Sequence, residues 1–145
     1  MKKLIKMPKW LFIFLSFTWG LPSTAIGILV GLVLCITGHK PENWMYCDHF
    51  SIGKDWGGVS FGFIFITNEN ASMHIRNHEH GHALQNCVFG PLMLFIVDIP
   101  SAIRYWYRRY ITKKGGSLKK AYDDIWFEGQ ATKLGTELHE YLLKK

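Results

Sequence analysis

The feature that most constrains the fold is an apolar run from Trp10 to Thr37, which contains no charged residue. The run is long enough to cross a bilayer as a helix. It is interrupted by Gly20-Leu21-Pro22, where the proline removes a backbone donor and disfavours helix at the residue before it. We therefore expect either one kinked span or the two short arms of a re-entrant hairpin. The run is too long for a signal-peptide core, and no convincing cleavage site precedes His39.

Charge is concentrated around the apolar parts of the chain. The 145 residues are enough for one small domain, and the formal net charge is +6. The basic residues that flank the apolar runs are Lys2, Lys3, Lys6, Lys9, Arg104, Arg108, Arg109, Lys113, Lys114, Lys119 and Lys120. This pattern favours a lipid bilayer as partner, and no nucleic-acid motif is present. The three cysteines include no C-x-x-C pair, so we expect no disulfide framework.

A histidine-rich stretch, His78-Glu79-His80-Gly81-His82, fits the H-E-x-x-H zinc pattern. On a helix, His78 and His82 lie about 40° apart on one face, so both imidazoles can reach one Zn²⁺. Glu79 sits beside the pair, where its carboxylate can take a proton from a metal-bound water. His80 points roughly the opposite way and is not counted as a ligand. We expect the helix to be capped at its start by residue 71 or 72 and to end near Gly90.

A catalytic zinc needs one more protein ligand. The pattern with a third histidine downstream is excluded, because Gln85 and Val88 occupy the required Gly and His positions. His74 shares the helix face, but residues eight apart lie about 12 Å apart along the axis. Glu128 is the strongest candidate, since aromatic residues precede it and its helix can cross the motif helix. Asp98 is the rival.

The remaining segments predict a small β component and two further helical regions. Residues 39–55 are polar and predict a loop, and Val59–Thr67 is rich in β-formers and predicts a strand, with a hairpin partner possible at Phe50–Lys54. The second apolar run, Pro91–Ile103, is short for a span, and a basic loop follows at residues 113–117. Tyr122–Leu143 has helical apolar spacing.

The expected fold is therefore mainly α with a small β-hairpin or sheet (α+β). Residues 1–38 are predicted to form a membrane anchor. Residues 39–145 are predicted to form the metal-binding domain, with the second apolar segment at residues 91–103.

A strand, then H-E-x-x-H, then a distant glutamate opening E-x-x-A-x-x-L-G resembles the gluzincin metallopeptidases, especially the small membrane-bound ones. The stretch from His78 onward also resembles uncharacterised small bacterial membrane proteins with H-E-x-G-H-x-x-Q and G-P-L motifs. The resemblance covers about half of the chain. It implies a zincin-like domain in which His78, His82 and Glu128 bind Zn²⁺ and Glu79 is the base. Thr132 departs from the family, which often has there an acidic residue that hydrogen-bonds a zinc histidine.

The implied activity is a membrane-bound zinc endopeptidase acting on peptides or proteins. Tyr122, His139 and Tyr141 are candidate oxyanion donors, and the predicted strand offers an edge to substrate. Two alternatives stay open: a site-2-type intramembrane protease with Asp98 as third ligand, and a non-enzymatic metal-binding membrane protein.

Topology adds a constraint on where such a site can lie. The charge bias puts both basic flanks inside, so two full spans would separate His78 from Glu128. A re-entrant first run would avoid this, and so would a zinc site within the membrane. We favour a site at the cytoplasmic face of a bacterial inner membrane.

Overall fold

The computed structural model describes residues 2–145 and is mainly helical with one small sheet, which confirms the predicted fold class. Helices are numbered α1 to α6 and strands β1 to β4 in chain order. The helices are α1 (Lys2–Ile5), α2 (Lys9–Phe17), α3 (Leu21–Ile36), α4 (Met73–Phe89), α5 (Ile99–Lys113) and α6 (Trp126–Leu143). The strands are β1 (Glu42–Trp44), β2 (Cys47–Ser51), β3 (Gly58–Phe61) and β4 (Ile64–Thr67).

The sheet has the order β1-β2-β4-β3, with β2 and β4 parallel and the two outer pairs antiparallel. The loop predicted at residues 39–55 is wrong, because β1 and β2 form a hairpin there. The strand predicted at Val59–Thr67 is two strands, since Gly62 adopts a φ of 63° and reverses the chain. The hairpin predicted between Phe50–Lys54 and this strand is also wrong. β2 instead runs parallel to β4, and β3 is left as an edge.

The first apolar run forms α2 and α3, which meet at an angle of 91°. Gly20 precedes α3 and Pro22 lies in its first turn, so the interruption read from the sequence is the bend. Phe12 of α2 lies in the same hydrophobic core as Phe65 of β4 and Leu84 of α4. The first apolar run therefore packs directly against the helix that carries the motif.

The second apolar run belongs to a longer bent helical segment. A 3₁₀ turn at Gly90–Leu92 and a π-helical stretch at Leu94–Asp98 lead from α4 into α5. The two halves of this segment are bent by 114°. Within residues 2–145, no single helix has the length and apolar character needed to cross a membrane, although each of the two bent pairs passes the same test as a unit.

Large apolar side chains project outward from these two bent pairs. On α2, α3 and the segment that follows α4, the exposed ones include Trp10, Phe14, Leu29, Leu32, Val33, Ile36, Phe95, Ile99, Ile103 and Trp106. We call this set the apolar face.

Candidate metal centre

α4 begins and ends where the sequence indicates. The Ser72 side chain accepts a hydrogen bond from the Ile75 backbone N–H, and Gly90 closes the C-terminus with a φ of 53°. α6 crosses α4 at very close range. A Cβ at Gly81 would overlap the Ala131 carbonyl, and a Cβ at Gly135 would overlap the Asn77 carbonyl. These two glycines let the backbones meet, which brings the first turn of α6 over the motif histidines.

Three predicted ligands converge at this crossing. The Nε2 atoms of His78 and His82 lie 3.1 Å apart. Each also lies 3.1 Å from the Oε2 atom of Glu128. All three residues are buried, and they are the one group of three or more His, Cys, Asp or Glu side chains within residues 2–145 that could hold a metal ion. The structure thus brings together the ligand set that the sequence favoured.

Hydrogen bonds fix which nitrogen of His82 carries the proton. The Gln85 amide nitrogen donates to the Phe127 carbonyl at 2.8 Å and to the Gln130 side-chain oxygen at 2.9 Å. The Gln85 side-chain oxygen must therefore accept, and it lies 2.8 Å from His82 Nδ1. Because Nδ1 donates, Nε2 of the neutral imidazole presents a lone pair toward Glu128.

The same reasoning applies to His78. Its Nδ1 lies 2.8 Å from Thr132 Oγ1. The Thr132 hydroxyl donates to the Asp123 carboxylate at 2.9 Å, so it accepts from His78 Nδ1. His78 Nε2 then also presents a lone pair to the cluster. Asp123 thus supplies, through Thr132, a negative charge like the one that gluzincins often place at the position of Thr132.

The third donor is Glu128, whose side chain is fully buried. Ser101 donates a 2.5 Å hydrogen bond to its Oε1 atom, which leaves Oε2 facing the two imidazoles. Burial opposes ionisation of Glu128, but the adjacent His78 and His82 imidazoles, which can take up a proton at Nε2 and donate it to the carboxylate, outweigh burial and hold the pKa of Glu128 well below the usual range. Burial likewise opposes protonation of His82, yet the bond to Glu128 and nearby carboxylates raise its pKa. The cluster therefore attracts positive charge.

The geometry and chemistry of the donor set fit a metal ion. Three acceptor atoms directed at one point repel one another unless a cation lies between them. Ligand atoms around a tetrahedral zinc ion, with bonds of about 2.0–2.1 Å, lie roughly 3.4 Å apart. The observed separations of 3.1 Å are close to that value. Two imidazoles and one carboxylate also form a donor set typical of catalytic zinc.

Glu79 is buried beside the cluster and faces β3. A Cβ on Gly58 would lie 2.6 Å from Glu79 Oε1, so only a glycine in the strand leaves room for this carboxylate. Burial raises the pKa of Glu79, and the charge of Glu128 adds to this effect, while the two imidazoles oppose it. The position matches the role that the motif predicts, a carboxylate next to the metal rather than bound to it.

Several other candidates lie outside the ligand cluster. Asp98 accepts a hydrogen bond from Ser23 at 3.3 Å. It lines a cavity that also reaches His78 and His82, but it is not part of the ligand group. His74 is exposed and lies 3.8 Å from Asp123. His80 is buried on the far side of α4, where its ring stacks on Phe12, as its position in the helix predicts.

Among the three possible oxyanion donors, only Tyr122 is recorded near the centre. Its hydroxyl lies 3.0 Å from Ser101 Oγ, and its ring centroid is 6.2 Å from that of His78. His139 stacks instead on Trp44, and Tyr141 packs against the hydrophobic core.

Sequence reasoning missed three residues that orient the ligands: Gln85, Ser101 and Asp123. The spacing of Gln85 three residues after His82 was a usable signal, because such residues are neighbours on a helix. The roles of Ser101 and Asp123 depend on tertiary packing, and no local pattern marks them.

Two cavities meet at the centre. The larger, of about 430 Å³, is lined mainly by apolar side chains, and the smaller, of about 240 Å³, is more polar at its outer end. His78, Glu79 and Tyr122 line both. Both cavities therefore give access to the same three residues.

No family model, no curated protein and no solved structure matches the chain. A functional conclusion must come from the geometry of the site.

Proposed function

We propose that the protein is a membrane-attached, zinc-dependent endopeptidase. The observation that carries the proposal is the convergence of three lone-pair donors, from His78, His82 and Glu128, beside a buried carboxylate that is not a ligand. A purely structural histidine cluster has no need of Glu79 next to it. Catalytic zinc sites combine three protein ligands with a neighbouring general base.

The residues of the chain have separable roles in the proposed reaction. When bound, Zn²⁺ lowers the pKa of a water molecule and polarises the substrate carbonyl. The Glu79 carboxylate accepts the proton of the attacking water and delivers it to the leaving amine. Burial raises the pKa of the Tyr122 phenol, so this group stays protonated, and its hydroxyl can turn away from Ser101 to donate a hydrogen bond to the developing oxyanion.

The free edge of the sheet supports a peptide as substrate. β3 pairs with β4 on one side only, and its residues from Gly58 to Phe61 line the larger cavity next to Glu79. An extended peptide can add to such an edge through main-chain hydrogen bonds. Asp98 lies outside the ligand cluster, so the proposal uses Glu128 and not the Asp98 alternative.

The apolar face supports attachment to a bilayer. Its side chains come from both bent helix pairs, and basic clusters lie between α1 and the first residue of α2 and in the second half of α5. Lipid tails cover such side chains, and the basic residues suit anionic headgroups. Because neither pair needs to cross the bilayer, both basic clusters and the centre can share one side. We assign this side to the cytoplasmic face of a bacterial inner membrane.

The activity is tested with the variant Glu79→Gln in purified, zinc-loaded full-length protein. We expect wild type to cleave a peptide library, whereas Glu79→Gln keeps its zinc but loses cleavage. Glu137→Gln, on the α6 surface, is the matched control and should behave as wild type. A wild type that binds zinc but cleaves no peptide would instead favour the non-enzymatic metal-binding alternative.

Membrane attachment is tested separately by flotation with liposomes that contain anionic lipid. We expect wild type to float with the vesicles and the double variant Leu29→Lys, Val33→Lys to float much less. Wild type that stays with the soluble fraction without detergent would contradict attachment.

A further inference from the structure

The two cavities at the centre open onto chemically different surfaces. They share Gly58, His78, Glu79, Tyr105 and Tyr122, so together they form one continuous cleft between β3 and α5. The cleft passes over the ligand histidines and the candidate base. A molecule that enters the cleft from either end must therefore pass the ligand histidines and Glu79.

The larger cavity opens through the apolar face. Ile99 and Trp106 line this cavity, and as members of the apolar face they are also 49% and 64% exposed. They lie seven residues apart on α5, which is two helical turns, so one stripe of the helix serves both surfaces. Val97 and Phe61 continue the apolar lining inward. A chain segment can pass from lipid into this cavity without leaving apolar surroundings.

The smaller cavity opens past exposed polar side chains. Its outer wall includes His74 and Asp123, whose side chains are 61% and 36% exposed. Both groups can hold water by hydrogen bonding. This end supplies a path for the water that hydrolysis consumes and for a polar stretch of substrate.

From this arrangement we infer that the substrate is a polypeptide segment at the boundary between a membrane-embedded stretch and its water-exposed continuation. The embedded side occupies the apolar cavity, the scissile bond lies over Glu79, and the polar continuation leaves past His74. The inference rests on the proposed endopeptidase function. It adds that the bilayer presents the substrate, so a soluble peptide of the same cleavage sequence binds more weakly than a membrane-anchored one.

The test measures binding rather than cleavage, so that it remains decisive even if hydrolysis fails. Zinc-loaded Glu79→Gln protein is reconstituted in liposomes with a synthetic peptide that has an apolar membrane anchor, a polar tail and one photoreactive benzoylphenylalanine at their junction. A second peptide carries the same tail and junction without the anchor. Cross-links are mapped by mass spectrometry.

A matched pair of variants identifies the route. Ala102→Trp fills the apolar cavity, which Ala102 lines, whereas Ile103→Trp introduces the same indole one residue further on, at a position outside that cavity. We expect the anchored peptide to cross-link to β3 and to the cavity side of α5. Ala102→Trp should reduce this yield by about tenfold, equivalent to losing about 1.4 kcal/mol of binding, and Ile103→Trp should not.

Each outcome decides the inference. Equal labelling of the same residues by the anchored and unanchored peptides would overturn it, and so would labelling that Ala102→Trp leaves unchanged. Specific labelling of the anchored peptide, together with no cleavage by wild type, would uphold the binding route and refute the endopeptidase function instead.

Discussion

The Nδ1 atom of His78 donates a hydrogen bond to the Oγ1 atom of Thr132 over 2.8 Å, and the Thr132 hydroxyl in turn donates to the Asp123 carboxylate. This relay fixes the imidazole with its Nε2 lone pair toward the metal centre. Outer partners of this kind contribute about 10- to 100-fold to metal affinity. We therefore expect Thr132→Val to weaken zinc binding by about that factor, measured by competition with a chelating dye.

Thr136→Val is the control for this variant, because Thr136 lies one turn further along α6 and makes no recorded side-chain hydrogen bond in the described chain. It should leave zinc affinity unchanged. Thr132→Asp, which offers a carboxylate directly to His78, should retain most of the affinity. Wild-type affinity in Thr132→Val would refute the relay.

The close crossing of α4 and α6 gives a second prediction. Gly81→Ala should force the helices apart, because its Cβ would overlap the Ala131 backbone, which cannot rotate away. We expect destabilisation of about 1–3 kcal/mol or more in denaturant titration and a parallel loss of zinc affinity as Glu128 moves away. Gly57→Ala is the control, since its Cβ would meet nothing closer than 3.9 Å. Equal effects of the two substitutions would contradict this explanation.

The sequence predicted the ligand set better than it predicted the sheet. His78 and His82 are found through the H-E-x-x-H pattern and its helical spacing, and Glu128 through its position in a second helix with aromatic neighbours. β1 and β2 escaped notice because they are short and their residues, such as Asp48 and His49, are not typical β-formers. The parallel pairing of β2 with β4 depends on contacts that no local pattern encodes.

Ligand orientation was likewise beyond the sequence. The relay through Asp123 joins the 3₁₀ turn at Tyr122–Asp124 to Thr132 of α6, nine residues further along the chain. Ser101 reaches Glu128 from α5. Thr132 taken alone suggested a weakened site. Only the fold shows that a neighbouring carboxylate compensates.

The phenol of Tyr122 gives a third prediction, on catalysis. Tyr122→Phe should lower kcat by about 10²- to 10³-fold, the usual effect of removing one oxyanion donor, with little change in KM or zinc content. Tyr141→Phe should have no such effect, because Tyr141 packs against the hydrophobic core. Steady-state kinetics on a cleaved peptide decide between them. A loss of kcat in Tyr141→Phe, with unchanged kcat in Tyr122→Phe, would contradict the assignment of Tyr122 as the oxyanion donor.

His49 gives a fourth prediction, on stability against pH. Its fully buried ring lies 2.7 Å from Thr67 Oγ1, and burial, with the charge of Arg76, lowers its pKa below the usual value near 6.5. Below that pH the unfolded chain binds the extra proton and the folded protein does not. This contribution to stability is therefore present above pH 6.5 and is lost as the pH falls toward the lower folded pKa.

The variant His49→Gln keeps a donor near Thr67 but does not titrate. Below pH 6.5, the unfolding equilibrium constant of wild type should rise by up to about tenfold per pH unit relative to this variant. His74→Gln, at an exposed histidine, is the control and should follow wild type. Parallel pH profiles for wild type and His49→Gln would contradict the prediction.

The central claim is that Glu128, and not Asp98, completes the metal site with His78 and His82. It is tested most directly by zinc titration of full-length Glu128→Gln and Asp98→Asn, two substitutions that keep shape and remove charge. We expect wild type to bind about one zinc per chain and Asp98→Asn to bind zinc with wild-type affinity. In Glu128→Gln we expect zinc affinity to fall by about 10- to 100-fold or more, at least the loss seen when a residue that only hydrogen-bonds a ligand is removed. Wild-type affinity in Glu128→Gln together with lost affinity in Asp98→Asn would contradict it.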